Sequence, residues 1–455
     1  MQRSRWRSSS ALSLQPLTNS VFTFQTASGS LEPMNFRYVG HACVLMSEED
    51  FTIITDPWFG EPLNHGVFHA FPIIDPLTDR EIAEINAIHI SHLHQDHFAP
   101  QSLARFPKSI PIVIAKHEST TFRKKIAALG FTNFREIEPN FSALNLGPFQ
   151  LMTMRPPVFD GSFDSALIVT SQRRSYFLNN DCLLPETAYT EMRVKLGKFE
   201  GCFLGYDDFL PGPTCFRMGT ARENIHPAIQ KIYEGKSKLA WAHFSKVVQI
   251  LEPAWVAPYA SGIRFLNADL KVHNRTFSDA RRVSEIPLFG ATPFLIQPGD
   301  FIREGKWEDH AERFMFDVEE RQVLPPTFEN KVSATELTGR SPDCDRFFFD
   351  LISRESKKWR EPMQLEILIR GETSTLRLAY SFDGTSLARG AVAPDISISY
   401  PAALVYGVID ARVNFAALHF TYRFDAEIHR YVADQMSIYH WGDQLTPQNP
   451  IASSD

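Results

Sequence analysis

Three histidines and one aspartate crowd into the segment HLHQDH at residues 92–97. The segment follows a short apolar run, residues 87–90, which predicts a buried strand that ends in a loop. Imidazole and carboxylate groups are suitable ligands for first-row metals such as zinc and iron. Because alternate side chains of an extended loop face the same way, His92 and His94 can share one ion while Asp96 and His97 turn toward a second. The spacing therefore predicts a metal centre, and we expect Asp96 to be catalytic as well.

Two aspartates elsewhere in the chain follow predicted strands. Asp181 comes shortly after the strand predicted at residues 176–178, and a carboxylate in that position suits a ligand that bridges two ions. Asp56 ends another apolar strand, directly before a proline. We expect Asp56 to hydrogen-bond a neighbouring loop rather than to bind an ion.

Two loops are candidates for the walls of a pocket over the metal loop. Residues 60–76 are rich in aromatic side chains and carry His65 and His69, which we expect to contact a small-molecule substrate; a packed surface loop is the alternative. Tyr206 opens a turn-rich segment and is a third candidate substrate contact. His41 either lines the site or caps a turn, and the turn is the prediction. Other histidines are predicted to be structural, with His273 also a candidate to approach the site: His117, His226, His243 and His273.

Composition restricts the class of protein. A hydrophobic fraction of 44% and a charged fraction of 22% are typical of a folded globular chain. The net charge of -7 argues against a broad basic surface for nucleic acid or anionic membrane. No window approaches the roughly 20 apolar residues of a membrane helix. The five cysteines are odd in number and never in CxxC spacing, which favours a reducing compartment. We expect a cytoplasmic enzyme.

A length of 455 residues predicts at least two domains. Residues 1–33 have the composition of a weakly ordered tail. Residues 34–322 form the predicted catalytic domain, with a final strand at 294–297, and a break follows at Pro325 and Pro326. Residues 328–455 predict a smaller α+β domain. Its predicted elements are strands at 365–369, 375–380 and 396–400, an apolar helix opened by Pro401, and an amphipathic helix at 426–439.

The HxHxDH loop, with Asp56 before it and Asp181 after it, resembles the metallo-β-lactamase superfamily across residues 35–300. The resemblance implies an α/β fold, the αβ/βα four-layer sandwich, with metals at one edge of two facing sheets. Typical hydrolases of the superfamily have a further histidine at the position that Asp160 takes here, with Asp164 as the other candidate. The resemblance therefore implies a ligand set with less imidazole and more carboxylate.

A second resemblance involves residues 164–182, 258–262 and 396–440, which are similar to CMP-N-acetylneuraminate and UDP-N-acetylmuramate hydroxylases. Those enzymes are iron-dependent monooxygenases that also carry a Rieske [2Fe–2S] domain. A Rieske cluster needs two cysteines and two histidines in paired spacing, and these 455 residues contain no such pairs. Electrons would come from a separate donor protein or from the substrate, or the reaction is not an oxygenation.

Three functions are consistent with these observations. The leading prediction is a non-haem iron oxygenase, with one or two ions, that hydroxylates or N-oxygenates a small substrate. The alternative is a dinuclear zinc hydrolase in which the ions lower the pKa of bound water and Asp96 orients the hydroxide toward a phosphoester or acyl bond. The third is a non-enzymatic role in which the C-terminal domain, similar to a sterol-carrier module, binds a lipid or a partner.

Overall fold

Strands form most of the regular structure of this chain. The computed structural model describes residues 34–63, 66–72, 74, 76–156, 164–206, 216–217, 227–268, 270–276, 278–308, 330–390, 393–410 and 424–430. In chain order the strands are β1 (Asn35–Gly40), β2 (Cys43–Glu48), β3 (Phe51–Thr55), β4 (His69–Ala70), β5 (Ala87–His89), β6 (Ile112–Ala115), β7 (Phe134–Ile137), β8 (Leu144–Leu146), β9 (Phe149–Met154), β10 (Ala166–Ser171), β11 (Arg174–Leu178), β12 (Gly201–Gly205), β13 (Phe216–Arg217), β14 (Trp255–Tyr259), β15 (Ile263–Arg264), β16 (Thr292–Pro293), β17 (Phe301–Arg303), β18 (Lys306–Glu308), β19 (Met363–Arg370), β20 (Thr375–Phe382), β21 (Leu387–Arg389), β22 (Ile396–Pro401) and β23 (Asp425–Ile428).

Helices connect many of these strands. They are α1 (Asp79–Ala83), α2 (Pro100–Ala104), α3 (Thr121–Ala127), α4 (Glu186–Leu196), α5 (Pro227–Leu251), α6 (Ala334–Gly339), α7 (Ser341–Glu355) and α8 (Ala402–Ile409). The first helix begins with a capping box, in which the Thr78 hydroxyl accepts from the Glu81 N–H and the Glu81 carboxylate accepts from the Thr78 N–H. Within the described residues, no helix has the length and apolar composition needed to cross a bilayer.

Two large sheets carry the first part of the fold. The first has the order β18-β17-β1-β2-β3-β5-β6-β7 and the second has the order β16-β14-β12-β11-β10-β9-β8. In the first sheet β3, β5, β6 and β7 run parallel, and in the second sheet β11, β12, β14 and β16 run parallel. Parallel neighbours need crossover connections, and α1 to α5 lie within them.

Alternating burial along the strands shows that the two sheets face each other. On β2, Val44 belongs to the core shared by both sheets, whereas Cys43 and Leu45 belong to the core on the outer side with α1, α2 and α3. On β10, Leu167 points into the shared core and Ile168 into the core that contains α4 and α5. The layers are therefore helices, sheet, sheet and helices, which is the αβ/βα sandwich expected from the sequence.

A glycine sets the spacing inside the shared core. Gly201 on β12 lies beside Trp255 on β14, and a Cβ added at Gly201 would lie 2.0 Å from Trp255 Cζ2. The Trp255 indole is 1% exposed and stacks on Phe294, with ring centroids 5.3 Å apart. The absence of a side chain at residue 201 thus makes room for the largest ring of the core.

A third sheet, of order β13-β23-β22-β19-β20-β21, follows with α6, α7 and α8. Its core includes Phe348 on α7, stacked on Tyr400 of β22 at 5.6 Å. Strand β13 joins this sheet by pairing with β23, although residues 216–217 fall inside the predicted catalytic range. The predicted tail and the predicted break at residues 322–328 lie outside the described residues, so these domain limits stay predictions.

Several sequence-based elements agree with the structure, and two do not. The predicted strands of the third sheet and the helix after Pro401 are confirmed as β19, β20, β22 and α8. The helix predicted from residue 426 is wrong at its start, because Asp425–Ile428 is strand β23 and buries Ala426 and Ile428 against β22. Cross-strand burial outweighs the helical pattern there. The strand predicted at 294–297 is also wrong, since β16 is Thr292–Pro293 and the Asp300 carboxylate accepts the Gln297 N–H across a turn.

Candidate metal centre

Asp56 holds the histidine-rich loop in place. It follows β3, is fully buried, and has a φ of 37°. Its Oδ1 accepts the Ser91 N–H at 2.7 Å, while Oδ2 accepts the Ser91 hydroxyl at 2.6 Å and His97 Nδ1–H at 2.8 Å. Burial alone would raise the pKa of Asp56, but the hydrogen bond and charge of His97 outweigh it and lower the pKa. Asp56 therefore has the predicted loop-organising role and leaves His97 Nε2 available as a ligand atom.

His92, His94 and Asp181 form the first ligand cluster, in which the three ligand atoms lie within 4.8 Å of one another. His92 Nε2 lies 2.9 Å from His94 Nδ1 and 3.5 Å from Asp181 Oδ2. Asp164, just before β10, faces the same atoms, with its Oδ1 3.6 Å from His92 Nε2. Two imidazoles and two carboxylates thus converge on one point.

A second cluster consists of His41, Asp96 and His97, again with ligand atoms within 4.8 Å of one another. His41 Nε2 lies 3.0 Å from Asp96 Oδ2, which is also 3.7 Å from His97 Nε2. His41 does occupy the predicted turn between β1 and β2, with a φ of 50°, but its imidazole is buried and lines the site. The sequence favours the turn, with this role as the alternative. The available signal was a histidine at the end of a strand in the sheet that carries the metal loop.

Asp181 lies between the two clusters. Its Oδ2 is 3.5 Å from His92 Nε2 in the first and 3.3 Å from His97 Nε2 in the second. The preceding residue, Asn180, has a left-handed φ of 51° and is bonded through its N–H and its Oδ1 to the Tyr259 hydroxyl. One carboxylate oxygen is therefore held where it can bridge two ions.

The electrostatics of the two clusters suit bound cations. Burial would lower the pKa of His97, but the carboxylates of Asp181 and Asp96 outweigh it and raise the pKa well above the ordinary value. Burial would raise the pKa of Asp181, and His97 and His92 instead lower it. Burial and the neighbouring His92 lower the pKa of His94. These groups lie so close together that the protonation of each depends on the charge of the others. Bound cations would balance the negative charges of the carboxylates.

Unsatisfied buried atoms provide a direct test of whether metals fit. His41 Nε2, His97 Nε2 and Asp164 Oδ1 are buried without a hydrogen-bond partner, although His41 Nε2 and His97 Nε2 each have a carboxylate oxygen within 3.0 to 3.7 Å. Buried polar atoms are normally bonded, and each exception requires an explanation. Metal ligands are typically buried atoms of this kind, which lie close together without forming hydrogen bonds to one another. The residues therefore fit a metal centre.

Comparison with known proteins identifies the domain that carries this centre. Residues 35–140, which include His41, Asp56 and the whole metal loop, match the family model described as the beta-lactamase superfamily domain. The chain carries a beta-lactamase superfamily domain. Together with the sandwich and the clustered side chains, this match supports a metal-dependent enzyme of the metallo-β-lactamase fold.

Curated relatives match a longer part of the chain than the domain model does. Two are described as candidate Rieske 2Fe-2S iron-sulfur proteins. The one from Mycolicibacterium smegmatis is 24% identical over 256 residues, and the one from Mycobacterium tuberculosis is 28% identical over 256 residues. Each match covers 55% of this chain and 48% of the relative. The chain therefore spans about half the length of the curated relatives it matches.

Solved structures to which this chain is similar include a hydroxylase and a hydrolase. CmlA, a diiron beta-hydroxylase from Streptomyces venezuelae, is 18% identical with a TM-score of 0.40, and the match covers 60% of this chain and 55% of that one. An isothiocyanate hydrolase from Delia radicum gut bacteria is 12% identical with a TM-score of 0.41, covering 59% and 98%.

The other residues predicted for the site are Asp160, His65, His69 and Tyr206. Asp160 and His65 lie outside the described residues. His69 is buried on β4, and burial lowers its pKa. Tyr206 directly follows β12, and its ring stacks on Trp241 at 5.3 Å. Neither His69 nor Tyr206 is part of a ligand cluster, and their substrate contacts stay predictions.

Two other histidines have structural surroundings, as predicted. His243 Nε2 is bonded to the Tyr189 hydroxyl at 3.0 Å, and His273 packs on the Phe265 ring at 5.5 Å. His226 lies outside the described residues. The metal centre in the described chain is therefore built from the two clusters and Asp164.

Proposed function

We propose that the protein is a dinuclear non-haem iron oxygenase that hydroxylates or N-oxygenates a small substrate. The observation that carries the proposal is Asp181 Oδ2, positioned between the two clusters, with Asp164 facing the first. The first ion would be held by His92, His94, Asp164 and Asp181, and the second by His41, Asp96, His97 and Asp181. Mixed imidazole and carboxylate ligands that leave positions open are typical of iron sites that react with oxygen.

When bound, iron supplies the redox chemistry with oxygen, and the protein supplies the surroundings. Asp56 keeps the proton of His97 on Nδ1, so that Nε2 faces the ion. His92 and His97 are fully buried, whereas His94 and Asp181 are exposed, so among the described residues the centre is open to solvent on the side of His94 and Asp181. We expect the substrate to approach from that side, and the buried histidines to exclude water from the opposite side.

The electron balance of an oxygenation requires a donor. Insertion of one oxygen atom of O2 into a substrate, with release of the other as water, consumes two electrons and two protons. The 455 residues contain no paired cysteines and histidines of Rieske spacing. The two mycobacterial relatives are described as candidate Rieske proteins. We propose that an electron-transfer group outside these 455 residues, such as a separate donor protein, reduces the centre.

The test is metal analysis of protein purified without oxygen, followed by oxygen uptake after addition of ferrous iron and a chemical reductant. We expect about two irons per chain and an oxygen-dependent spectral change. His94→Ala should lower the iron content and abolish the spectral change, because His94 belongs to the first cluster. His429→Ala is the matched control, since His429 is exposed beside the third sheet and should leave metal content unchanged. Iron that binds without any oxygen reaction would contradict the oxygenase.

His41 favours a second candidate, a dinuclear zinc hydrolase. With His41 the described centre has four imidazoles rather than three, and imidazole-rich sets suit hydrolytic zinc. Bound zinc lowers the pKa of water, and Asp96, 3.0 Å from His41, would orient the resulting hydroxide toward a phosphoester or acyl bond. Tightly held zinc, no oxygen uptake, and turnover of phosphoester or acyl substrates would establish this function in place of the oxygenase.

A further inference from the structure

Arg155 follows β9 at the edge of the second sheet that carries the metal ligands. Strands β9 and β10 are antiparallel, with Met154 opposite Ala166. One further step in this register sets Arg155 opposite Ser165, the residue next to Asp164. The Ser165 hydroxyl donates to the Ser91 carbonyl in the metal loop at 2.9 Å. The backbone of Arg155 is therefore about one strand spacing, roughly 4.8 Å, from a segment that contacts the metal centre.

The guanidinium of Arg155 also reaches the other sheet. Its Nη1 donates to the Lys116 carbonyl at 3.1 Å, and Lys116 directly follows β6, the neighbour of β5. Strand β5 leads into the metal loop. Arg155 thus connects the two sheets at the side of the metal centre, one strand outward from the ligands in each sheet.

The charge of Arg155 is not balanced by a nearby carboxylate. Most described arginines pair with one, as Arg123 does with Glu136 and Arg340 with Asp410. Among the described residues no carboxylate lies within 4.0 Å of Arg155, and Glu118 acts on it only from a longer distance. The side chain is partly buried, and burial lowers the pKa of Arg155. A half-buried cation without a counter-charge is unfavourable unless a ligand supplies the charge.

The neighbouring histidine, His117, does not compete with Arg155 for an anion. Burial, and then the charge of Arg155, lower the pKa of His117 to about 4. His117 is therefore neutral at neutral pH, and Arg155 is the cation at this position. With Nη1 bonded to the Lys116 carbonyl, the Nε and Nη2 hydrogens have no partner among the described residues and form a planar fork that matches a carboxylate or phosphate.

We propose that Arg155 binds an oxyanion, a carboxylate or a phosphate group, on the substrate of the metal centre. The proposal rests on the proposed function, because it assigns a substrate class to the same site. Arg155 would fix one end of the substrate while the reacting atom lies near the ions. The substrate class is thus an anionic small molecule whose charged group and reactive group are several ångströms apart.

The test separates metal binding from Arg155 binding. The metal-loaded full chain is titrated by calorimetry with succinate, glutarate and adipate, and with the monocarboxylates of equal length, butyrate, pentanoate and hexanoate. A monocarboxylate can occupy the metal centre or Arg155 but not both, whereas a dicarboxylate of the right length binds both at once. The best dicarboxylate should bind roughly ten- to a hundredfold more tightly than its monocarboxylate. Its phosphono analogue distinguishes a carboxylate site from a phosphate site.

Arg155→Gln should remove that advantage and leave the monocarboxylate affinity and the metal content unchanged. Arg155→Lys should retain part of it, since it keeps the charge but loses the planar fork. Arg135→Gln, at an exposed arginine on β7, is the matched control and should change nothing. Equal affinities for dicarboxylates and monocarboxylates, or an advantage that survives in Arg155→Gln, would overturn the proposal. A chain that holds no metal would instead contradict the proposed function, so the two failures are distinguishable.

Discussion

The Tyr259 hydroxyl donates to Asn180 Oδ1 at 2.6 Å and accepts the Asn180 N–H at 2.9 Å. This double contact fixes the residue directly before Asp181, in a backbone conformation that side chains rarely adopt. Tyr259 is at the end of β14, far along the chain from the metal loop. The position of the bridging carboxylate therefore depends on a strand that supplies no metal ligand itself.

Tyr259→Phe should weaken metal binding by roughly tenfold, because the hydroxyl that orients the Asn180–Asp181 segment is lost. Two buried groups of Asn180 would also lose their partner, at a cost of about 1–3 kcal/mol in the free energy of unfolding. Chelator competition measures the first effect and chemical denaturation the second. Tyr189→Phe is the matched control, since its buried hydroxyl also makes two hydrogen bonds, to Leu184 and His243. It should lose stability but keep full metal affinity; equal metal loss in both variants would contradict this role of Tyr259.

Asp56→Asn should reduce metal affinity by roughly 10- to 100-fold, because an amide cannot accept from Ser91 and His97 as the carboxylate does. The His97 ring would lose its fixed tautomer and orientation. Competitive titration with a chelator gives the affinity. Asp395→Asn provides the comparison, because Asp395 is also buried and accepts from Gln364 and Arg430 in the third sheet. Unchanged metal affinity in Asp56→Asn would show that Asp56 is not needed to orient the ligands.

Gly201→Ala should destabilise the fold by roughly 3 kcal/mol or more, because the added methyl group would collide with the Trp255 ring at 2.0 Å. Thermal denaturation would detect a lower melting temperature. Gly235→Ala makes the same chemical change inside α5, where nothing lies within 4 Å of the added atom. That variant should gain about 1 kcal/mol from helix propensity. A loss of equal size in both variants would refute the steric explanation.

Stability at acid pH should depend in part on Glu81. Partial burial would raise its pKa, but hydrogen bonds from Thr78 and contact with Arg37 lower the pKa to about 2. The unfolded chain binds this proton near pH 4.3, so the contribution is fully present above that pH and is lost as the pH falls toward 2. Solvent screens this pair, whose side chains are 25% and 33% exposed, which limits the contribution to about 1 kcal/mol.

In Glu81→Gln the unfolding free energy should therefore decline less steeply between about pH 4.5 and pH 2. Near pH 2 the variant should be as stable as the parent. Urea denaturation at a series of pH values measures this slope. Glu84→Gln, at an exposed carboxylate next to α1, should keep the parental slope. Parallel slopes for the parent and Glu81→Gln would exclude a role for this carboxylate in acid stability.

Local spacing made the main part of the metal centre predictable from the sequence. His92, His94, Asp96 and His97 are neighbours in the chain, so a single loop determines which of them can share an ion. The sequence did not favour His41 as a site residue, because its contact with Asp96 depends on how the first strands pair and how the next parallel strand is placed beside them. Spatial proximity of residues 55 positions apart leaves no local pattern.

Local pattern and long-range pairing also explain which strands the sequence predicted correctly and which it did not. Strands β19, β20 and β22 carry strict alternation or continuous apolar residues, so their pattern predicts them directly. Strand β23 has only four residues, and it is a strand because β22 offers a partner for it. Its conformation is decided by tertiary pairing that a short sequence window does not contain.

Strand order in the first sheet has a consequence for synthesis of the chain. Strand β1 pairs on one side with β2, eight residues later, and on the other side with β17, at residues 301–303. Some 260 residues separate the two partners of β1, and synthesis adds roughly 5–20 residues per second. One edge of β1 therefore stays unpaired for roughly 13–50 seconds. An unpaired edge of that kind is a template for wrong pairing between nascent chains. Chaperone binding to β1 during this interval would prevent wrong pairing of the strand, and the first sheet could then position the metal loop correctly.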